Sequence, residues 1–224
     1  MKRIVVDSSA SLYKLDGVDF AAVPLKIVTD EREYLDDGTL DAVEMATTLR
    51  TYKGKTSTSC PNIGDWLGAY EGADEVYAIT ITGTLSGSCN AAQLAAEEYQ
   101  AEHPEAKVFV LDSLSAGPEL VLLAEHIRDL LAEGMAFDDV CEEMLRYREH
   151  GALERLVLEL KSHGYAHGKV VIAHCGNPAA AERLMHMVKA VFEGAQVRVT
   201  ECGGLCSYYA ELGGLMVGFE DADA

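Results

Sequence analysis

Four short segments rich in serine and threonine are the strongest candidates for chemistry in this sequence. Each follows a predicted strand or precedes a predicted helix, and they are Asp7–Ser9, Lys55–Asn62, Thr80–Ser88 and Asp112–Gly117. Hydroxyl groups, together with the free N–H groups at the start of a helix, can bind a carboxylate or a phosphate without a Lys or Arg. Since Ser, Thr and Asp also cap helices and form turns, any one segment alone is better explained structurally. Four of them at one sheet edge favour a binding site.

A hydrolase is the alternative from another functional class. Ser86 is its candidate serine nucleophile, and His174, which follows a predicted strand, is the best-placed base. A cysteine near His174 is the corresponding thiol candidate. However, Thr84–Ser88 lacks the G-x-S-x-G pattern of a nucleophile elbow, because its glycine lies on the wrong side of the serine. A third hypothesis is a pure interaction module with neither activity.

Metal and nucleotide sites have little support. His174 and Cys175 with Cys202 and Cys206 could be drawn as a metal cluster, but a second closely spaced ligand pair is missing. Neither a P-loop nor a G-x-G-x-x-G motif occurs. We therefore expect no metal and no nucleotide cofactor.

Composition excludes other functional classes. The chain has 224 residues, 49% of them hydrophobic, and 37 Asp and Glu against 18 Lys and Arg give a formal net charge of -19. A field of that sign repels phosphate, which argues against nucleic acid and anionic lipid as partners. No stretch is long enough to span a bilayer, and nothing at the N-terminus resembles an export signal. With six scattered cysteines, these features predict a cytoplasmic protein with reduced thiols.

Strand and helix patterns alternate along the chain. This alternation predicts an α/β fold with a mainly parallel, doubly wound sheet and a second, smaller α/β domain. The predicted strands are Arg3–Val6, Phe20–Val23, Leu25–Val28, Val76–Ile81, Lys107–Leu111, Lys169–Ala173, Gln196–Glu201 and Gly213–Phe219. The predicted helices are Asp41–Arg50, Ser86–Tyr99, Gly117–Leu131, Phe137–Glu149, Ala152–His163 and Pro178–Phe192.

The domain boundary is predicted at His150–Gly151. Two helical patterns meet there with only Gly151 between them, which gives an N-terminal domain over residues 1–150 and a C-terminal domain over 151–224. Because no Pro- or Ser-rich spacer separates them, the boundary is not predicted to be a flexible linker.

The sequence resembles the DegV family of bacterial fatty-acid-binding proteins through motifs that run in order along the whole chain. The N-terminal motifs are VDSSASL, VPLKIVTDEREYLDDGTLD, KTSTSCPNIGDW, ITGTLSGSCNAA and VLDSLSAG, and the C-terminal ones are IAHCGNPAAAERL and ECGGLCSYYAELGGLMVGF. The resemblance implies a two-domain α/β protein that binds a long-chain fatty acid in a cleft between its domains. Such proteins present the acid to a separate fatty acid kinase, which makes an acyl phosphate, and have no catalytic residue of their own.

The resemblance also implies a carboxylate site. Thr58 and Ser86 match the family's carboxylate-contacting hydroxyls, with Ser59 beside Thr58. Gly87 and Ser88 then supply N–H groups at the start of the following helix, which agrees with the chemistry expected from the residues alone.

Two departures from the family pattern affect the expected site. Several elements that normally lie between the helices ending near Glu149 and beginning near Gly151 are absent, either because this family member lacks them or because the sequence omits residues there. In the family these elements form much of one pocket wall and carry a basic residue near the head group. The family also often has a His facing the carboxylate from the C-terminal loop, where a gapless alignment places Tyr209. A tyrosine donates a hydrogen bond there without a charge at pH 7.

Overall fold

The computed structural model describes residues 1–203, 206 and 212–220. The chain divides into two compact units, Met1–Arg148 and Glu149–Ala224. No helix among the described residues is both long enough and apolar enough to cross a bilayer.

The first unit contains seven strands and most of the helices. Its strands are β1 (Lys2–Asp7), β2 (Asp19–Val23), β3 (Lys26–Thr29), β4 (Glu33–Leu35), β5 (Thr56–Ser59), β6 (Glu75–Thr80) and β7 (Lys107–Asp112). Its helices are α1 (Ala42–Thr51), α2 (Ile63–Tyr70), α3 (Ser88–Glu102), α4 (Pro118–Ala132) and the start of α5 (Phe137–Ser162), with a short 3₁₀ turn at Ser8–Ala10.

A four-stranded parallel sheet in the order β2-β1-β6-β7 organises this unit. Both of its faces are covered, which is why its strands are almost continuously apolar. On one face Ile4 and Ile79 pack with the buried leucines of α4, and on the other Val5 and Ala78 pack with α2 and α3. The predicted α/β class with a parallel, doubly wound sheet is confirmed.

A small antiparallel sheet, β4-β3-β5, was only partly expected. The segment Lys55–Asn62 was predicted as a loop, whereas the structure forms β5 at Thr56–Ser59 and caps α2 at Asn62. The loop prediction is wrong because the pairing partner of β5 is β3, about 30 residues earlier in the register Ile27 to Thr58. All four residues of β5 are exposed, so no hydrophobic pattern marks the strand.

Helix α1 begins as predicted, because the Asp41 carboxylate caps it by accepting a hydrogen bond from the Glu44 N–H at 2.8 Å. None of its residues is buried, however, and Val43 on its apolar face is 77% exposed. The apolar face predicted from the sequence is therefore only partly covered, since Met45 and Leu49 are half-buried.

Helix α5 passes without interruption through the predicted domain boundary. The two separate helices expected around Gly151 are one helix of 26 residues. A single interior glycine costs only about 1 kcal/mol relative to alanine, and the flanking Glu, Leu and Arg residues are good helix formers. Val140 and Met144 belong to the core cluster of the first unit, while Leu153 and Val157 belong to that of the second.

The second unit contains β8 (Lys169–His174), α6 (Pro178–Val191), β9 (Gln196–Glu201) and β10 (Leu215–Phe219). Its sheet has the order β10-β8-β9, with β9 parallel and β10 antiparallel to β8. Val170 and Ile172 face the core built with α6 and the later turns of α5. Pro178 occupies the first turn of α6, where its missing N–H costs nothing.

Candidate functional site

The loops at the carboxyl ends of β1, β6 and β7 are joined by hydrogen bonds. The Thr82 N–H donates to the Ser115 carbonyl at 2.8 Å, which connects the loop after β6 to the loop after β7. The Gly83 N–H donates to Asp112 Oδ2 at 3.1 Å across the same gap. Ser8, after β1, accepts a hydrogen bond from the Leu25 N–H at 3.0 Å. Parallel strands bring these three loops to one edge as predicted, whereas the fourth predicted segment, Lys55–Asn62, contains β5 of the small sheet.

Asp7 is fully buried between these loops. Its Oδ2 accepts hydrogen bonds from the Ile81 N–H at 2.8 Å and the Ser88 hydroxyl at 2.7 Å, and its Oδ1 accepts one from the Ser9 hydroxyl at 2.5 Å. Burial raises the pKa of Asp7, and the hydrogen bonds offset part of that rise because they favour the ionised form.

The start of α3 presents the predicted donors. Ser86 is half-buried, and its Oγ accepts a hydrogen bond from the Ser88 N–H at 3.2 Å. Gly87 is exposed at the N-cap position, and the N–H groups of Gly87, Cys89 and Asn90 have no acceptor among the described residues. Since unpaired N–H groups at a helix start favour an anion, this end of α3 can accept a carboxylate. A hydroxyl can donate to that anion while it accepts from Ser88.

Thr58 and Ser59 lie on β5, and both are exposed. Because successive side chains of a strand alternate, the two hydroxyls project from opposite faces of the small sheet. Ser59 Oγ donates to the Cys60 carbonyl at 3.3 Å, whereas the Thr58 hydroxyl has no partner among the described residues. The chain after β5 reaches the start of α3, since a β-carbon at Gly87 would lie 3.3 Å from Cys60 Sγ.

Two exposed leucines accompany the hydroxyl groups. Leu85 directly precedes Ser86 and is 75% exposed, and Leu114, in the loop after β7, is 47% exposed. Leu114 has a φ of 55°, a left-handed conformation that is unusual for a leucine. The loops at this edge of the sheet therefore expose two large apolar side chains to water.

Two predicted site residues remain, Ser88 and Tyr209, and the structure adds a third residue that was not predicted, Arg148. The Ser88 side chain is committed to Asp7 and its N–H to Ser86, so its contribution to a ligand is through the helix start as a whole. Tyr209 lies outside the described residues. Arg148, which the sequence analysis did not select, donates to the Asp112 carbonyl at 3.0 Å and brings a cation to the end of β7. No sequence signal distinguishes it from its neighbour Arg146, which is an ordinary surface residue.

The hydrolase geometry is not formed within the first unit. Among the described residues, the hydrogen-bond partner of Ser86 Oγ is the Ser88 N–H, and no histidine is bonded to it. In the second unit His174 is buried, and the pKa of Cys202 is raised by desolvation and by the neighbouring thiols of Cys206 and Cys175. A nucleophilic thiol needs the opposite shift.

No group of three or more His, Cys, Asp or Glu side chains is arranged to hold a metal ion in the part of the chain that the structure describes. Cavities of about 430 and 370 Å³ occur elsewhere, the first beside Lys169–Val171 and the second beside Glu71–Asp74. Neither is lined by any of the predicted site residues.

Comparison with known proteins gives one family. The model of the DegV family, which is described as uncharacterised, matches residues 2–153. A DegV domain-containing protein of Streptococcus pneumoniae is 32% identical over 276 aligned positions, which cover 97% of this chain and 98% of the relative. Since this chain has 224 residues, at least 52 of those positions have no counterpart in it.

Two solved structures are similar over nearly their whole length. A DegV family protein from Eubacterium eligens, loaded with heptadecanoic acid, has a TM-score of 0.66 and 32% identity, with 98% of this chain and 99% of that chain covered. The Streptococcus pneumoniae Fatty Acid Kinase (Fak) B3 protein, loaded with linoleic acid, has a TM-score of 0.65 and 30% identity at the same coverage.

Proposed function

The chain belongs to the DegV family, and on this premise we propose that it binds a long-chain fatty acid whose carboxylate lies at the start of α3. The observation that carries the proposal is the set of donors there: the Ser86 hydroxyl and the N–H groups of Gly87 and Cys89. They can hold one anionic head group without a cation. Thr58 supplies a second hydroxyl from β5.

The exposed leucines of these loops support a fatty acid over a small anion such as phosphate. Leu85 directly precedes Ser86, Leu114 lies in the loop after β7, and a free phosphate would leave the hydrocarbon of both in water. Each methylene of a fatty acid that is removed from water contributes about 0.8 kcal/mol. Both solved relatives described above contain a fatty acid.

The proposed role is that of a carrier that presents the carboxylate to a separate fatty acid kinase and has no catalytic residue of its own. The naming of the pneumococcal relative for a fatty acid kinase supports this role. The exposed position of Gly87 supports it too, because a kinase must reach the carboxylate. The proposal also places the protein in the cytoplasm. The cysteines form no disulfide among the described residues, which agrees with a reducing compartment.

The experiment is native mass spectrometry of the purified protein, followed by extraction and identification of any bound lipid. We expect a complex heavier than the 24.2 kDa chain by the mass of one fatty acid. A protein that carries no lipid and also fails to bind added palmitate or oleate would refute the carrier role.

We further infer that the segment missing relative to the family lies near Gly151 and removes part of the pocket wall. The family match ends at residue 153, and α5 runs unbroken through this point. The fatty acid tail is then partly exposed to water and bound weakly. The test is a fatty acid with a spin label on its tail, exposed to a water-soluble paramagnetic relaxation agent. If the agent does not change the relaxation of the bound label, the tail is shielded from water, and this outcome would contradict the inference.

A further inference from the structure

The loop that carries Ser86 and Gly87 is fastened at both ends to one buried atom. Asp7 Oδ2 accepts the Ile81 N–H at 2.8 Å, where the loop leaves β6, and the Ser88 hydroxyl at 2.7 Å, where the loop enters α3. We call this pair of hydrogen bonds the Asp7 bridge. Both ends of the loop are therefore fixed to a single carboxylate oxygen, while Thr82 and Gly83 within it also bond to the end of β7 and the loop that follows.

Because Asp7 is buried, losing one hydrogen bond of the Asp7 bridge costs more free energy than losing an ordinary surface hydrogen bond. Asp7 has no exposed surface, and no Lys or Arg forms an ion pair with it among the described residues. A carboxylate that is removed from water without a cation is tolerated only when donors satisfy its oxygens. The loop ends supply two of those donors and Ser9 supplies the third. Releasing either loop end would remove one of the donors that this buried carboxylate needs, which disfavours other conformations of the loop ends.

The Ser88 hydroxyl is directed at Asp7, so it is not free to donate to a ligand. The groups proposed to bind the head group are the neighbouring Ser86 hydroxyl and the Gly87 N–H, which lie inside the bridged loop. Their positions relative to each other depend on where the loop ends are fixed. A carboxylate needs several donors at once in correct geometry, whereas a neutral alcohol needs one.

We propose that Asp7 is a positioning residue that sets the selectivity of this site for a carboxylate over a neutral head group, acting through the Ile81 N–H and the Ser88 hydroxyl. The proposal rests on the proposed function, because it assumes that a fatty acid binds at the start of α3. It assigns Asp7 no direct contact with the ligand.

The test compares dissociation constants for palmitate and for the neutral analogue 1-hexadecanol. We expect Asp7→Ala to weaken palmitate binding about tenfold or more, as for loss of a hydrogen bond to a charged group. Hexadecanol affinity should change less than about threefold, since its apolar contacts are unaltered. Asp7→Asn should restore most of the selectivity. Its Oδ1 can accept both loop ends while its Nδ2 donates to Ser9.

A matched pair of serine variants keeps the proposal testable if Asp7→Ala fails to fold. Ser88→Ala removes one end of the Asp7 bridge, and Ser9→Ala removes the hydrogen bond to the same carboxylate that lies outside the loop. We expect Ser88→Ala to lower the palmitate-to-hexadecanol selectivity and Ser9→Ala to leave it within about twofold of wild type.

The outcomes separate this proposal from the proposed function. A wild-type protein that binds neither compound would refute fatty acid binding itself, and with it the role of Asp7. Wild-type selectivity for palmitate that survives in folded Asp7→Ala, or in Ser88→Ala, would overturn the positioning role alone. Parallel losses of both affinities would also overturn it, because they indicate a merely structural residue.

Discussion

Replacing Ser86 with alanine tests whether its hydroxyl binds the fatty acid carboxylate. In the proposed complex, the Ser86 hydroxyl donates to the fatty acid while its oxygen accepts the Ser88 N–H at 3.2 Å. A hydrogen bond to a charged partner contributes roughly 1.5–3 kcal/mol, so Ser86→Ala should weaken palmitate binding about 10- to 100-fold. Titration calorimetry with palmitate measures that change.

The same variant must also lose a little stability, because the Ser88 N–H loses its acceptor at the start of α3. A lost cap costs about 1 kcal/mol, which corresponds to about 2–4 °C in melting temperature for a chain of this size. Thr58→Val provides the contrast, since the Thr58 hydroxyl is exposed and has no partner among the described residues. It should lower the affinity with a stability change below about 0.5 kcal/mol.

Thr56→Val is the matched control. Thr56 lies on the same face of β5 as Thr58, with the same residue type and exposure, two residues farther from the start of α3. It should alter neither affinity nor melting temperature. The reasoning is refuted if Ser86→Ala melts earlier but binds palmitate as wild type does, because Ser86 is then only a helix cap.

Three further predictions concern other parts of the structure. Folding raises the pKa of Asp7 above its usual 3.8, so the stability it contributes when protonated is lost as the pH rises through its folded pKa. Asp7→Asn should therefore gain stability relative to wild type as the pH rises above about 4 in urea unfolding, and a constant difference would contradict this. Helix α1 buries no residue, and its N-cap is Asp41, so Asp41→Ala should speed amide hydrogen exchange in α1 without changing the global melting temperature. Slow exchange in α1 would contradict this and would show that the helix packs more firmly than its exposure indicates. Burial, followed by the charge of Asp138, raises the pKa of Cys141 to about 11, so at about pH 8 iodoacetamide should label it roughly a hundredfold more slowly than an unperturbed thiol, as peptide mass spectrometry can test.

The parallel sheet was predictable because its strands are short apolar runs separated by helical patterns. Val76–Ile81 and Lys107–Leu111 are visible in the sequence for this reason, and they match β6 and β7 closely. Strand β5 was missed because its four residues are polar and exposed, and its pairing with β3 is a contact between distant parts of the chain. The sequence predicts two helices around Gly151, whereas α5 is continuous because one interior glycine costs a helix only about 1 kcal/mol.

The residue types of the candidate site were also predictable, but which of its hydroxyls are free to bind a ligand was not. The four hydroxyl-rich segments identify the residue types, and the helix predicted from Ser86 is found as α3, which begins two residues later at Ser88. Which hydroxyls are available is decided by tertiary contacts: Ser88 is committed to Asp7, 81 residues away, while Ser86 remains half-exposed. Such pairings carry no sequence periodicity.

A crystal structure of the protein grown with palmitate tests the central claim most directly. Our account predicts one fatty acid whose carboxylate oxygens lie about 2.7–3.2 Å from Ser86 Oγ and the Gly87 N–H. It also predicts that Asp7 still bridges the Ile81 N–H and the Ser88 hydroxyl in the complex. A palmitate whose carboxylate lies away from the start of α3 would contradict the account.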